Sequence, residues 1–353
     1  MFDRSHWHLR GPVRTLRISQ GEWNRADEAW GEVRLFNVLT FHADGQLRAG
    51  EHHNPDGSVA HTTYRYDDDG HLIETHVRTG DGPVTRTVSD YEHGRLVRTE
   101  TLDAGGNALD CSDYRYDANG RRTLRRRLES FPSDVTYGVE AGSGRSYSAP
   151  GAVTLVVEYD AHDRPFQAVF RDRDDGIVRR IAFTRDAGGR LLREEVRFGD
   201  ATPFPRPAGS DSDALGEERA RLAVVMSGAF TGALFATVSC AYDDQGRLTE
   251  RLAQTGQLSE ERETFAYDER GNTVEQVSAT TQRQLHLDDR GSTRTAEATP
   301  MEQRHRFAYV YDAHDNWTER AVSSRHPSTG EWRHSSIERR ELTYEPARPI
   351  RKP

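Results

Sequence analysis

Histidine is the residue type in this chain with the most chemistry to offer. His6 and His8 flank Trp7, and on a strand residues two apart project from one face, an arrangement that can chelate a metal ion. His52, His53 and His61 lie within two neighbouring segments, with His42, His71 and His76 close by. Neutral imidazole is a metal ligand, and near neutral pH it also serves as a general acid or base. No third ligand is fixed by local spacing, as it is in His-Glu-x-x-His, so neither a metal nor another cofactor is expected. An enzyme built on this chain would draw on His52, His53 and His61 together with Asp or Glu residues from other strands.

Nucleophilic catalysis has no support in the sequence. There is no Gly-x-Ser-x-Gly elbow, and neither Cys111 nor Cys240 sits in an activating motif. Gly142-Ser143-Gly144-Arg145 lacks the Lys-Ser/Thr that completes a phosphate-binding loop. The carboxylate groups at Asp172, Asp174 and Asp175, at Asp243 and Asp244, and at Asp288 and Asp289 all fall where turns are expected. In turns Asp is used structurally.

The elements that must position these residues are announced by a recurring phrase: an aromatic residue, Asp, two polar residues, Gly, then a basic or polar residue. Tyr66-Asp67-Asp68-Asp69-Gly70-His71, Tyr116-Asp117-Ala118-Asn119-Gly120-Arg121, Tyr242-Asp243-Asp244-Gln245-Gly246-Arg247 and Tyr267-Asp268-Glu269-Arg270-Gly271-Asn272 carry it in full. Asp can accept hydrogen bonds from the amides just ahead of it, and Gly takes the left-handed conformation that closes a short hairpin loop. Gly45, Gly57, Gly70, Gly82, Gly94, Gly106 and Gly120 follow one another at intervals of 12, 13, 12, 12, 12 and 14 residues. Each interval holds one strand and one turn, so sequence neighbours should be antiparallel neighbours in space. Tyr64 with Tyr66, Tyr114 with Tyr116, Phe265 with Tyr267, and Tyr309 with Tyr311 are each two apart, which puts each pair on one face of its strand. Tyr64, Tyr114, Phe265 and Tyr309 are therefore the candidate binding residues of an aromatic-lined face.

These phrases resemble the YD repeat of the RHS/YD-repeat family, over roughly residues 36–320. The resemblance implies stacked hairpins in a long, curling β-sheet. Tyr91-Glu92-His93-Gly94 is one residue short of the pattern, and the turns at Tyr159–Asp163 and Tyr311–Asp315 carry Asp where Gly is expected. The large members of that family enclose a toxic C-terminal domain. Only about thirty polar residues follow the last repeat here, so that role does not carry over.

Composition narrows the function classes. The chain has 353 residues, 34% of them hydrophobic and 30% charged, with a mean hydropathy of −0.85. That suits a sheet with one aromatic and one solvated face. A formal net charge of −9 disfavours nucleic acid, which is bound largely through its phosphates. The arginine run at Arg121, Arg122, Arg125, Arg126 and Arg127 would alternate between strand faces and reads as solvating. No apolar run approaches the length of a membrane-spanning helix. The N-terminus lacks the plan of a secretory signal, and the two cysteines form no disulfide framework, so a cytoplasmic protein with reduced thiols is expected.

The expectation is thus an all-β protein: one body over 1–353, an antiparallel YD-repeat hairpin array curling into a barrel-like or superhelical sheet. Insertions interrupt it at about 129–152, read as a loop, and 199–227. The second contains Pro203, Pro205 and Pro207 and then a helical pattern over Asp213–Met226. The expected function is a non-catalytic binding or scaffold role for a protein, peptide or glycan. The alternative is an enzyme with its site inside the curled sheet.

Overall fold

The computed structural model describes residues 3–120, 122–129, 135–138, 146–149, 154–199, 234–256, 259–282, 285–287, 293–295 and 300–345. The protein is all-β. Its strands pair antiparallel, mostly with their sequence neighbours, and the one helical element among the described residues is the 3-10 turn Arg4–Trp7. The helix expected over 213–226 and the proline segment before it lie outside the described residues. Within the first interruption, Val135–Gly138 pairs with Ser146–Ala149, a hairpin where the sequence suggests only a loop.

The recurring phrase is a turn machine. At Tyr242–Arg247, the Asp243 N–H donates to the Arg247 carbonyl and the Gly246 N–H to the Asp243 carbonyl, both at 2.9 Å. Asp243 Oδ1 accepts from the amides of Gln245 (3.0 Å) and Arg247 (2.9 Å), and Oδ2 accepts from Arg247 Nε at 2.7 Å. Gly246 sits at φ 81°, which a residue with a Cβ adopts only under strain. The basic or polar residue of the phrase is therefore the side-chain partner of its Asp. His71, Arg164, Arg190 and Asn272 play the same part for Asp67, Asp160, Asp186 and Asp268. Asp163 and Asp315 take the left-handed position in place of Gly, at φ 57° and 61°.

Two expected turns differ in detail. Gly82 is not left-handed; Gly80 is, at φ 54°, and the Gly82 N–H donates back to the Thr79 carbonyl. The phrase that is one residue short places both His93 and Gly94 at positive φ (51° and 74°), as a two-residue I′-type hairpin requires. The tyrosine of the phrase ties one hairpin to the one before it. Tyr66, Tyr91 and Tyr242 donate their hydroxyls to the carbonyls of Leu47, Leu72 and Leu191.

The residues cluster into two compact units. The first comprises 1–108, 267–276 and 303–353. Ten strands pair in the order Arg95–Leu102, Thr85–Glu92, Leu72–Thr79, Val59–Tyr66, Leu47–His53, Arg34–Phe41, Val13–Asn24, Trp332–Tyr344, Trp317–Arg325 and Met301–Tyr311. The first long strand, Val13–Asn24, thus lies between its sequence neighbour and the C-terminal strand. Its inward residues Val13, Leu16 and Ile18 pack with Leu39, Phe41 and Leu47. The second unit, 109–266 with 277–302, is built the same way around Leu155, Val157, Phe170, Ile181, Val196 and Val238.

Candidate functional site

A cavity of about 930 Å³ opens in the first unit. Its floor is a row in which strands match residue for residue. Arg320 faces Glu338, Glu338 faces Gln20, and Gln20 faces Arg34, so all four side chains leave the sheet on one side. A register shift between Ile18 and Ser19 re-aims the strand next to it and brings Leu35 and Phe36 to the wall. Trp23 and His53 border the opening, and the turn at Asn54, Pro55 and Gly57 closes one end.

The floor is electrostatically loaded. Arg320 Nη2 donates to Glu338 Oε2 at 2.8 Å, and Arg340 Nε lies 3.6 Å from Oε1 of the same carboxylate. Arg340 and Glu338 are each only 12% exposed. The Arg340 guanidinium rests 3.4 Å above the centre of the Trp317 ring, and that of Arg320 lies 5.4 Å from it, favourable cation–π placements. Burial pushes the Arg340 pKa down to about 10, Glu338 pulls it back up, and Arg320 adds to the lowering. The Nε atoms of Arg320 and Arg340 are buried without a hydrogen-bond partner among the described residues. A guanidinium still protonated at neutral pH moves no proton. The arrangement therefore suits holding a ligand's polar groups in place rather than acid–base work.

The structure divides the sequence candidates. His52 Nδ1 lies 2.9 Å from Asn37 Oδ1, and its ring packs edge-on against Phe36. His53 and His61 leave the other face and flank Glu51 at 3.6 and 3.7 Å. Register alone separates them, because successive strand residues alternate faces. Tyr64 packs against the first unit's core, and burial raises its pKa. Tyr309 donates to the Thr273 carbonyl at 3.0 Å, lies beside the rings of Tyr311 and Trp317, and is likewise raised by burial. Tyr114 and Phe265 belong to the second unit and are half-buried. The segments 139–145 and 200–227, within the proposed functional interruptions, lie outside the described residues.

Arg320, Glu338, Arg340 and Trp317 were not among the sequence candidates. One signal for two of them was present. Glu338 and Arg340 share the strand parity of Leu342 and Tyr344, which pack on the core, so charge there marks a polar interruption of an inward face.

No family model matches the chain, and no curated protein matches it. Solved structures that align along its length include two porin-like proteins. A porin-like protein from Bacteroides uniformis ATCC 8492 is 8% identical, with 95% of this chain and 98% of that one covered and a TM-score of 0.37. A porin-like protein from Bacteroides vulgatus ATCC 8482 is 10% identical, with 96% and 100% covered and a TM-score of 0.20. Likeness at this level carries no functional weight.

Proposed function

We propose that the protein is a non-catalytic binding protein of YD-repeat type that holds a peptide or glycan chain in the cavity of its first unit. The observation that carries this reading is the Arg320–Glu338–Gln20 row flooring an open cavity bordered by Trp23 and Phe36. Ring faces supply contact area, and a few fixed polar groups supply orientation, the usual composition of a ligand site. Its size also falls within the range of about 300–1,000 Å³ found for such pockets.

An aqueous, cytoplasmic setting is part of the proposal. The face opposite each core carries ion pairs: Arg17 with Glu341, Arg339 with Glu319 and Arg65 with Glu74 in the first unit, and Arg193 with Glu195 and Arg262 with Glu250 in the second. A lipid-facing strand would be apolar there. Cys111 and Cys240 are both free and buried, which supports a reducing compartment.

The test is a titration of peptide and oligosaccharide libraries followed by tryptophan fluorescence, with hits repeated on Arg320→Gln and Trp23→Ala. A hit weakened at least about tenfold by either substitution, roughly 1.4 kcal/mol, supports the reading. Hits indifferent to both would move the site elsewhere.

A further inference from the structure

Two β-bulges near one end of the first unit's sheet each insert one extra residue, and both extra residues are arginines. Between the pairs Val13–Tyr344 and Thr15–Thr343 the inserted residue is Arg14. Between Phe41–Leu47 and Thr40–Ala49 it is Arg48. Val13, Leu16 and Leu47 turn to the core, so each bulge leaves two successive residues on the opposite face, Arg14 with Thr15 and Arg48 with Ala49. Thr343, Thr15 and Thr40 stand opposite one another on three adjacent strands, and the strand of Thr40 runs between those of the two arginines. Neighbouring strands lie about 4.8 Å apart, so the arginines start roughly 10 Å from each other, a gap that two long side chains close from both sides. Together with the three threonines they line a cavity of about 450 Å³.

The cavity holds positive charge without an answering carboxylate. No acidic residue lines it, and neither guanidinium has a carboxylate or carbonyl partner among the described residues. Other arginines on the same face are paired: Arg17 lies 3.6 Å from Glu341, and Arg65 lies 2.6 Å from Glu74. The Thr15 and Thr343 hydroxyls also have no partner among the described residues, while Thr40 donates to the Ala49 carbonyl at 3.4 Å. Two neighbouring cations repel each other, and an anion between them relieves that repulsion. Arginine stays protonated at physiological pH, and its planar fork meets phosphate oxygens two at a time. Two forks match the double charge of a phosphate dianion better than the single charge of a carboxylate. We propose that Arg14 and Arg48 clamp a phosphate dianion, free or as a small monoester, with the Thr15 and Thr343 hydroxyls as further donors. The site shares no residue with the cavity over Arg320 and Glu338, so it stands independently of the binding role proposed above.

Arg17 provides an internal control, because it lies on the same face but already has Glu341. The experiment is isothermal titration calorimetry on the tag-free full chain, with chloride as the background anion at physiological ionic strength. Inorganic phosphate is the titrant in one arm and glycerol 3-phosphate in the other, and the arm that binds more tightly identifies the source of the phosphate. The same titrations are run on Arg14→Gln, Arg48→Gln and Arg17→Gln, and far-UV circular dichroism confirms that each variant is folded. Wild type and Arg17→Gln should take up one equivalent alike. Arg14→Gln and Arg48→Gln should each weaken that uptake at least about tenfold, the loss of one charge-assisted fork. The proposal is overturned if wild type shows no saturable uptake in either arm, if Arg14→Gln or Arg48→Gln keeps wild-type affinity, or if Arg17→Gln weakens uptake as much as they do.

Discussion

The side-chain amide of Asn316 holds both backbone polar groups of Arg10. Its Oδ1 accepts from the Arg10 N–H at 2.6 Å, and its Nδ2 donates to the Arg10 carbonyl at 2.9 Å and to the Tyr344 hydroxyl at 2.9 Å. A turn residue thereby serves as a strand partner for the segment leading into Val13–Asn24, while Tyr344 of the C-terminal strand also donates to Asp312. The contact fastens the entry of the chain to its last hairpins across 306 positions. Asn316 is 3% exposed, so water cannot replace what it supplies. Asn316→Leu should cost about 2–4 kcal/mol, the sum of several lost hydrogen bonds and the desolvation of an orphaned amide. Asn107→Leu, in an exposed turn, should cost less than about 1 kcal/mol. Urea unfolding of the two variants checks the difference, and equal midpoints would show that the Asn316 contact contributes nothing special.

Gly246 tests the turn chemistry from the backbone side. It sits at φ 81°, and an added Cβ would meet nothing nearer than Arg190 Nη1 at 3.7 Å. Any cost of substitution there is conformational rather than steric. Gly246→Asn should be nearly tolerated, Gly246→Ala should cost about 1 kcal/mol, and Gly246→Val should be the worst within a range of about 1–3 kcal/mol. Melting temperatures that fail to fall in that order would mean the loop relaxes out of the left-handed region.

Much of this architecture could be read in advance because it is local. The Asp–Gly turn chemistry spans five residues, and the strand alternation spans eight, so both leave their trace within one window. The partner of each turn Asp was missed although it is printed in the phrase itself, as Arg247 or His71. A basic residue after a turn looks like solvation until its Nε or Nδ1 is seen on Oδ2. The cavity floor was illegible for a different reason. Arg320, Glu338, Gln20 and Arg34 meet only because Val13–Asn24 pairs with Trp332–Tyr344 on one side and Arg34–Phe41 on the other, and no local pattern encodes that register. The same reason explains why His52 parted from His53 and His61.

Acid should dissolve the turns together. Accepting backbone and side-chain hydrogen bonds lowers the pKa values of Asp67, Asp103, Asp186 and Asp243, led by the amide of His71 for Asp67, the Asn107 side chain for Asp103, the Arg190 amide for Asp186 and the Arg247 amide for Asp243. A carboxylate whose folded pKa lies below its unfolded value adds stability above that unfolded value. The contribution is lost as pH falls through the folded one. Stability should therefore be level above the ordinary value of 3.8 and should fall progressively below it. Asp243→Asn keeps one acceptor oxygen but cannot titrate, so the slope of stability against pH in this acid window should flatten. An unchanged slope would show that the turn carboxylates do not drive acid unfolding.

The last prediction concerns the shared carboxylate beneath the cavity. Glu338 accepts from Arg320 and lies 3.6 Å from Arg340, so one anion serves a largely buried cation and a second that is 37% exposed. Removing the anion and removing a cation are then unequal operations. Glu338→Gln leaves two guanidinium groups facing each other without a counter-charge, and breaking a buried pair in this way costs about 3–5 kcal/mol. Arg340→Met keeps the volume and the contact with Trp317, relieves a buried charge, and leaves Glu338 its 2.8 Å bond from Arg320. Removing one partner of a buried pair is costly when the other is left uncompensated, but Glu338 keeps Arg320, so Arg340→Met should lie within about 1 kcal/mol of wild type. In the double variant the cost of Glu338→Gln should shrink, because only one cation is left unneutralised; a coupling of about 1 kcal/mol or more is expected for residues in direct contact. Chemical denaturation of the four proteins in the cycle measures this directly. Strictly additive losses would mean that Arg340 answers to Trp317 alone, and that the two arginines do not share their carboxylate.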